Sequence, residues 1–182
     1  MKLRIADCRL RIARRIGCAI VGVTIVTCAA RAETIDRVLA VVAGQLITLS
    51  DVTAARDLGL QSADSAPDPI RAILTKLIDR ELILAEVDRY APPEPTPQAI
   101  DREVERVRAR FNSDDALAAA LERSGVDAKQ LRETVRHDLR IRAYLDQRFA
   151  SAQERRQALM DDWLTALRRR GGVIDLYLSG PP

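Results

Sequence analysis

The chain has 182 residues, 29 of them Lys or Arg and 26 Asp or Glu, with three cysteines and one histidine. Its formal charge of +3 belongs to its first segment: residues 1–32 hold seven of the basic and one of the acidic residues, so the remainder carries 22 basic and 25 acidic residues, a net charge of −3. That balance argues against a nucleic-acid binder. One histidine, with Cys8, Cys18 and Cys28 all inside residues 1–32, also excludes the usual zinc sets and thiol chemistry from the rest of the chain.

Lys2, Arg4, Arg9, Arg11, Arg14 and Arg15 precede an apolar run, Ile16 to Ala30, which ends in Ala30-Arg31-Ala32. A basic head, a short apolar stretch and an A-x-A site are the parts of a secretory signal peptide. The run is shorter than the roughly 20 residues of a membrane-spanning helix, and Gly22, Thr24 and Thr27 interrupt it. The expected organisation is a signal peptide over 1–32, cut after Ala32, and a single domain over 33–182 that works outside the cytoplasm. Two alternatives stay open. Cys28 could be a lipidation site, although Thr27 precedes it where Gly or Ala would be expected, and an uncleaved leader could serve as an anchor.

Residues 35–42 form a β-branched run without helical period, and Gln45 to Thr48 form a second one after Ala43-Gly44, which predicts a β-hairpin. Ala43 is an awkward first turn residue, because such turns favour Asn, Asp or Gly where φ is positive. Ser50-Asp51 predicts a helix start and Gly59 its end, since a short polar side chain can accept an orphan backbone N–H. After a polar loop over 61–68, Asp68-Pro69 opens a helix to Tyr90. Its apolar residues Ile70, Ile73, Leu74, Leu77, Ile78, Leu82, Leu84, Ala85 and Val87 occupy much of the circumference, as expected of a central helix rather than a surface one.

Prolines 92, 93 and 95 break that helix, and Thr96-Pro97 starts another that places Ile100, Val104, Val107 and Phe111 on one face. Asn112-Ser113 starts a short helix through Leu117 and Leu121, closed near Gly125. Asp127 caps a long segment over 128–149 carrying Leu131, Val135, Leu139, Ile141, Leu145 and Phe149. Ser151 with Glu154 suggests a capping box before Leu159, Met160, Trp163, Leu164 and Leu167, and Gly171-Gly172 ends that helix. Val173 to Leu178 is a last strand, with Ile174, Leu176 and Leu178 on one side. A lone hairpin is marginal and a third strand makes it viable, so residues 173–178 are expected to pair with the hairpin. The predicted fold is mostly α: a helical core with a small N-terminal β-hairpin joined by a C-terminal strand.

Catalytic chemistry is hard to find in this pattern. His137 lies between Arg136 and Asp138 within a helix and has no second ligand. Asp114-Asp115 and Asp161-Asp162 sit early in helices, where acidic side chains favour the dipole, and Arg168-Arg169-Arg170 ends a helix, where basic ones do. A contact with a membrane surface or a client is the other reading of the three arginines. Ser50, Ser113 and Ser151 are read as caps, and neither a phosphate loop nor a nucleophile elbow is present. The chain is expected to be no enzyme and to need no cofactor or metal.

The segment from Ile35 to Val52, Ile-Asp-Arg-Val-Leu-Ala-Val-Val-Ala-Gly-Gln-Leu-Ile-Thr-Leu-Ser-Asp-Val, closely resembles the opening of the SurA family of periplasmic chaperones. Leu77-Ile-Asp-Arg-Glu-Leu-Ile-Leu-Ala-Glu-Val87 resembles that family's central helix, and Trp163 to Arg168 with Ile174 to Tyr177 resembles the helix and strand that return to the chaperone core. The resemblance covers nearly all of 35–178. It departs where family members insert parvulin-type prolyl isomerase domains, because the junction here is only Ala150 to Gln153. Ala43 also stands where Asn is usual, and Gly171-Gly172 where the returning strand often begins with Ala-Tyr.

The resemblance implies a periplasmic, ATP-independent holdase without isomerase activity. It would bind unfolded outer-membrane or other exported polypeptides in an apolar groove between helices, with neither nucleic acid nor a small-molecule substrate. A dedicated non-catalytic adaptor or assembly factor for one exported partner is the alternative. Phe111, Leu117, Leu121, Tyr144 and Phe149 are the candidate client-binding residues, with ordinary core packing as the competing role for each.

Overall fold

The computed structural model describes residues 36–177. The expected leader and Leu178 lie outside them. Two antiparallel strands, β1 (Val38–Val42) and β2 (Gln45–Thr48), lead into α1 (Leu49–Asp57), α2 (Pro69–Tyr90), α3 (Pro97–Arg108), α4 (Asp114–Ser124) and α5 (Ala128–Arg148). A 3₁₀ turn over Gln153–Arg155, then α6 (Arg156–Arg170) and a two-residue strand β3 (Ile174–Asp175), complete the order. The mostly helical fold with a small sheet is the one read from the sequence.

The sheet has the order β2-β1-β3, and both pairings are antiparallel. The first and last described strands thus meet in one sheet, with Val41 opposite Ile174, Ala40 opposite Asp175, and the Leu176 N–H donating to the Leu39 carbonyl at 2.9 Å. β3 is shorter than the six residues expected, and its inward side is the other one. Val173 and Tyr177 pack against the core while Ile174 and Leu176 are exposed. Tyr177 decides that orientation: its hydroxyl donates to Asp68 at 2.9 Å, and Arg71 both stacks on its ring and pairs with Asp175.

Most helix starts obey local chemistry. Asp68, Thr96, Ser113 and Asp127 each accept a backbone N–H of the first turn, from Arg71, Ala99, Ala116 and Gln130. Two expected caps move. α1 is capped by Thr48, not by Ser50 or Asp51: the Thr48 hydroxyl accepts from the Asp51 N–H and the Asp51 carboxylate accepts from the Thr48 N–H at 2.8 Å. Ser50 is drawn away because its hydroxyl donates to Asp36. α6 has no side-chain cap, so the Ser151–Glu154 box does not form. The 3₁₀ turn runs straight into the helix instead, with the Arg155 N–H bonded to the Ala152 carbonyl at 2.8 Å.

α2 is central. It packs against α1, α5, α6 and both hairpin strands, and its buried residues Ile73, Leu74, Ile78, Leu82, Ile83, Leu84 and Val87 lie around more than one face. The buried side chains form two clusters. The larger joins the hairpin, α1, α2, α6 and the C-terminal half of α5. The smaller joins Leu58, Ile100, Val107, Ala120, Leu131 and Val135, from the end of α1, α3, α4 and the N-terminal half of α5. α1 and α5 therefore reach into both.

Candidate client-binding cleft

Between the two clusters lies a cleft of about 550 Å³. β2, α1, α2, the start of α5 and Val126 before it form the walls; Leu46, Leu60 and Leu77 give them accessible apolar surface, and Ile47, Leu58, Leu84 and Leu131 are buried behind it. Ile47 and Leu84 belong to the larger cluster and Leu58 and Leu131 to the smaller, so the space opens where the two cores fail to merge. Leu46 marks its lip. It sits on an edge strand, where pairing with β1 leaves the outer edge free, and it is 61% exposed. A volume of several hundred Å³, apolar walls and a few placed polar groups are the features of a binding pocket.

Polar groups come from β2, α1, α2 and α5: Gln45, Asp51, Arg80, Glu81, Asp88, Thr134, His137 and Asp138. Arg80 of α2 donates to Asp138 of α5 at 2.8 Å and to Glu81 at 2.6 Å, and its guanidinium is largely buried. This ion pair ties the two longest helices together across the cleft floor. A second, more open recess of about 450 Å³ shares Arg80, Asp138, Leu60 and Gln61 and adds Lys76, Asp79, Ile83, Ile141, Arg142 and Leu145. Further along the cleft, Asp88 pairs with the buried Arg140 at 2.8 Å.

His137 also faces the cleft. Burial, and then the charge of Arg80, hold its pKa below the ordinary histidine value, so the imidazole is neutral at neutral pH. It is a partly buried helix residue. Among the described residues no group of three or more His, Cys, Asp or Glu side chains could hold a metal ion. Asp161 accepts from Gln157, and Asp114 pairs with Arg108. Arg168 grips Asp79 of α2 through two hydrogen bonds of 2.6 Å, and Arg170 lies 3.6 Å from Glu86, so these two arginines also hold α6 on α2.

The five candidate residues from the sequence line neither recess. Phe111, Leu117 and Leu121 are half-buried against the smaller cluster, whereas Tyr144 and Phe149 are buried in the larger. The fold therefore does not gather them into one surface. Tyr144 and Phe149 instead build an aromatic group with Trp163: their ring centroids lie 6.1 Å and 5.8 Å from the indole. Tyr90 stacks on the outer side of Tyr144 at 5.7 Å, and the Arg148 guanidinium sits 5.0 Å above the Trp163 ring. Burial raises the Tyr144 pKa. The Trp163 indole N–H is buried with no hydrogen-bond partner among the described residues.

Sequence reasoning missed Leu46, Arg80, Glu81 and Asp138. A hint was present for the first, since an apolar residue between Gln45 and Ile47 cannot share the inward face of Ile47 in an alternating strand. For the Arg80–Asp138 pair nothing in the spacing announced a contact between two helices 58 residues apart in the chain.

Among the described residues the chain forms a small helical domain whose first and last strands share one sheet, with a cleft and a more open recess beside it. No protein-family model matches the chain, and no curated protein matches it. Among the described residues no helix is long and apolar enough to cross a membrane.

Proposed function

We propose that this chain is a SurA-like, ATP-independent chaperone of the periplasm that holds unfolded outer-membrane or other exported polypeptides and carries out no catalysis. The observation that carries this reading is the cleft of about 550 Å³ between hairpin, α1, α2 and α5, with an exposed leucine at its lip. Such a groove offers many weak apolar contacts, which suits segments of varied sequence better than one rigid ligand. The basic, apolar leader supports export, and the short junction at 150–153 supports a chaperone core without an isomerase domain. No cofactor is part of the reading.

The ionic wall of the cleft favours a second reading, a dedicated adaptor for one exported partner, because buried charge discriminates between partners. One experiment separates the two. The chain is purified after export and mixed with an unfolded outer-membrane porin at near-stoichiometric ratio, and aggregation is followed by light scattering. Prolyl isomerisation of a peptide is assayed in parallel. Suppression without isomerisation is the expected result. No suppression would transfer the assignment to the adaptor, and isomerase activity would overturn both.

A further inference from the structure

The charges around the cleft are unequal. Among the described residues that line it, Asp51, Glu81, Asp88 and Asp138 are acidic and Arg80 is the basic one, already bonded to both Glu81 and Asp138. Arg140, behind Asp88, offsets one further acid. His137 adds no positive charge at neutral pH, because burial and the neighbouring Arg80, Arg136 and Arg140 disfavour its protonation more than Glu133 favours it. The second recess is more balanced, with Lys76, Arg80 and Arg142 against Asp79 and Asp138. The excess of acid is thus a property of the apolar cleft.

An uncharged apolar segment would fill the leucine surface, but Asp51, Glu81, Asp88 and Asp138 against Arg80 and Arg140 leave a net negative charge that it would not offset. A segment carrying lysine or arginine among its apolar residues would satisfy both. We propose that the cleft selects positively charged, apolar-rich polypeptide segments over negatively charged ones. This rests on the chaperone reading and names the chemistry of its clients. Apolar side chains rest on the exposed Leu46 and the half-buried Leu60 and Leu77, while cationic ones meet the net negative charge of the lining, with Asp51 and Asp88 its exposed acids. Complementary charge speeds encounter and suppresses partners of the wrong sign, and its exposed part weakens with salt.

The test uses the exported full chain and two fluorescein-labelled peptides of equal length, one alternating leucine with lysine and the other leucine with glutamate. Fluorescence anisotropy is expected to give the lysine peptide an affinity about tenfold higher at low salt, with most of that advantage lost near 0.5 M salt. Leu46 is exposed at the lip, so Leu46→Lys leaves the fold intact, which a circular-dichroism melt checks. That variant is expected to bind the lysine peptide about fivefold more weakly and the glutamate peptide more tightly.

Equal affinities, a preference for the glutamate peptide, binding of neither, or an unchanged lysine-peptide affinity in Leu46→Lys would each overturn the proposal. Porin protection reports separately. If aggregation is still suppressed while the charge preference is absent, the chaperone reading stands and this inference alone falls. If both signals are absent, both fall.

Discussion

Ala43 shows how one side chain can work against its position. It and Gly44 form the two-residue hairpin turn with φ of 49° and 84°, and a left-handed conformation costs a non-glycine residue roughly 1–2 kcal/mol, less for Asn. Ala43→Asn is therefore expected to raise stability by about 1 kcal/mol, read as a higher urea midpoint with an unchanged m-value. His137 makes the opposite kind of prediction, through pH. Its folded pKa is depressed, so the unfolded chain takes up the proton first. The stability it contributes is complete above about pH 6.5 and is lost as the pH falls through that value toward the lowered folded pKa. His137→Gln should flatten that part of the profile, and urea midpoints at about pH 7.5 and about pH 5.5 would converge relative to the natural chain. A variant with the same pH slope as the natural chain would contradict this. The awkwardness of Ala43 was legible in the sequence, since turn geometry is local. The burial of His137 was not, because it depends on Arg80 and the rest of the cleft wall arriving from another helix.

At the scale of elements, the caps were mostly readable and the exceptions have causes. Thr48 displaced Ser50 because the Ser50 hydroxyl is taken by Asp36, which lies 14 residues earlier in the chain. Gly171 was readable as a helix stop, but its tertiary role was not. A Cβ there would overlap the Leu82 side chain of α2 and lie 2.8 Å from the Leu167 carbonyl. Leu82 is itself 2% exposed and has little room to retreat. Gly171→Ala is expected to cost about 1–3 kcal/mol by overpacking, whereas an ordinary exposed glycine at a helix end would tolerate the change far better. The clearest readout is the thermal midpoint, together with Trp163 fluorescence, because α6 carries the one tryptophan. A neutral result would mean that α6 and α2 are not held this closely. The C-terminal strand pairs with the hairpin as expected; that it does so through β1, with Val173 and Tyr177 toward the core, depends on the Tyr177–Asp68 bond to a distant helix start.

For the molecule as a whole, the division of the core matters most. Among the described residues the smaller cluster holds six buried residues and the larger seventeen, and local opening free energies follow such differences in buried apolar contact. Amides of α3 and α4 should therefore exchange with solvent through openings of lower free energy than those of α2, measured by native-state hydrogen exchange in low denaturant. Exchange of all three helices with one common free energy would show instead that the two clusters unfold as a unit. The same division creates the cleft, because α1 and α5 bridge two cores whose facing sides do not close.

Six helices among the described residues, the hairpin and its closure by a C-terminal strand were legible along the chain, since periodicity, caps and breakers act within a few residues. The sequence also carried the central place of α2, whose apolar residues are too widely distributed for a surface helix. Which apolar residues become core and which stay exposed was settled by packing between elements. Phe111, Leu117, Leu121, Tyr144 and Phe149 looked equally available in one dimension, but facing helices cover them in part or almost fully. Leu46 is left open at the sheet edge, and Arg80 meets Asp138 across α2 and α5. Burial belongs to whatever lies opposite a residue, and that is set by the packing of distant elements rather than by its neighbours along the chain.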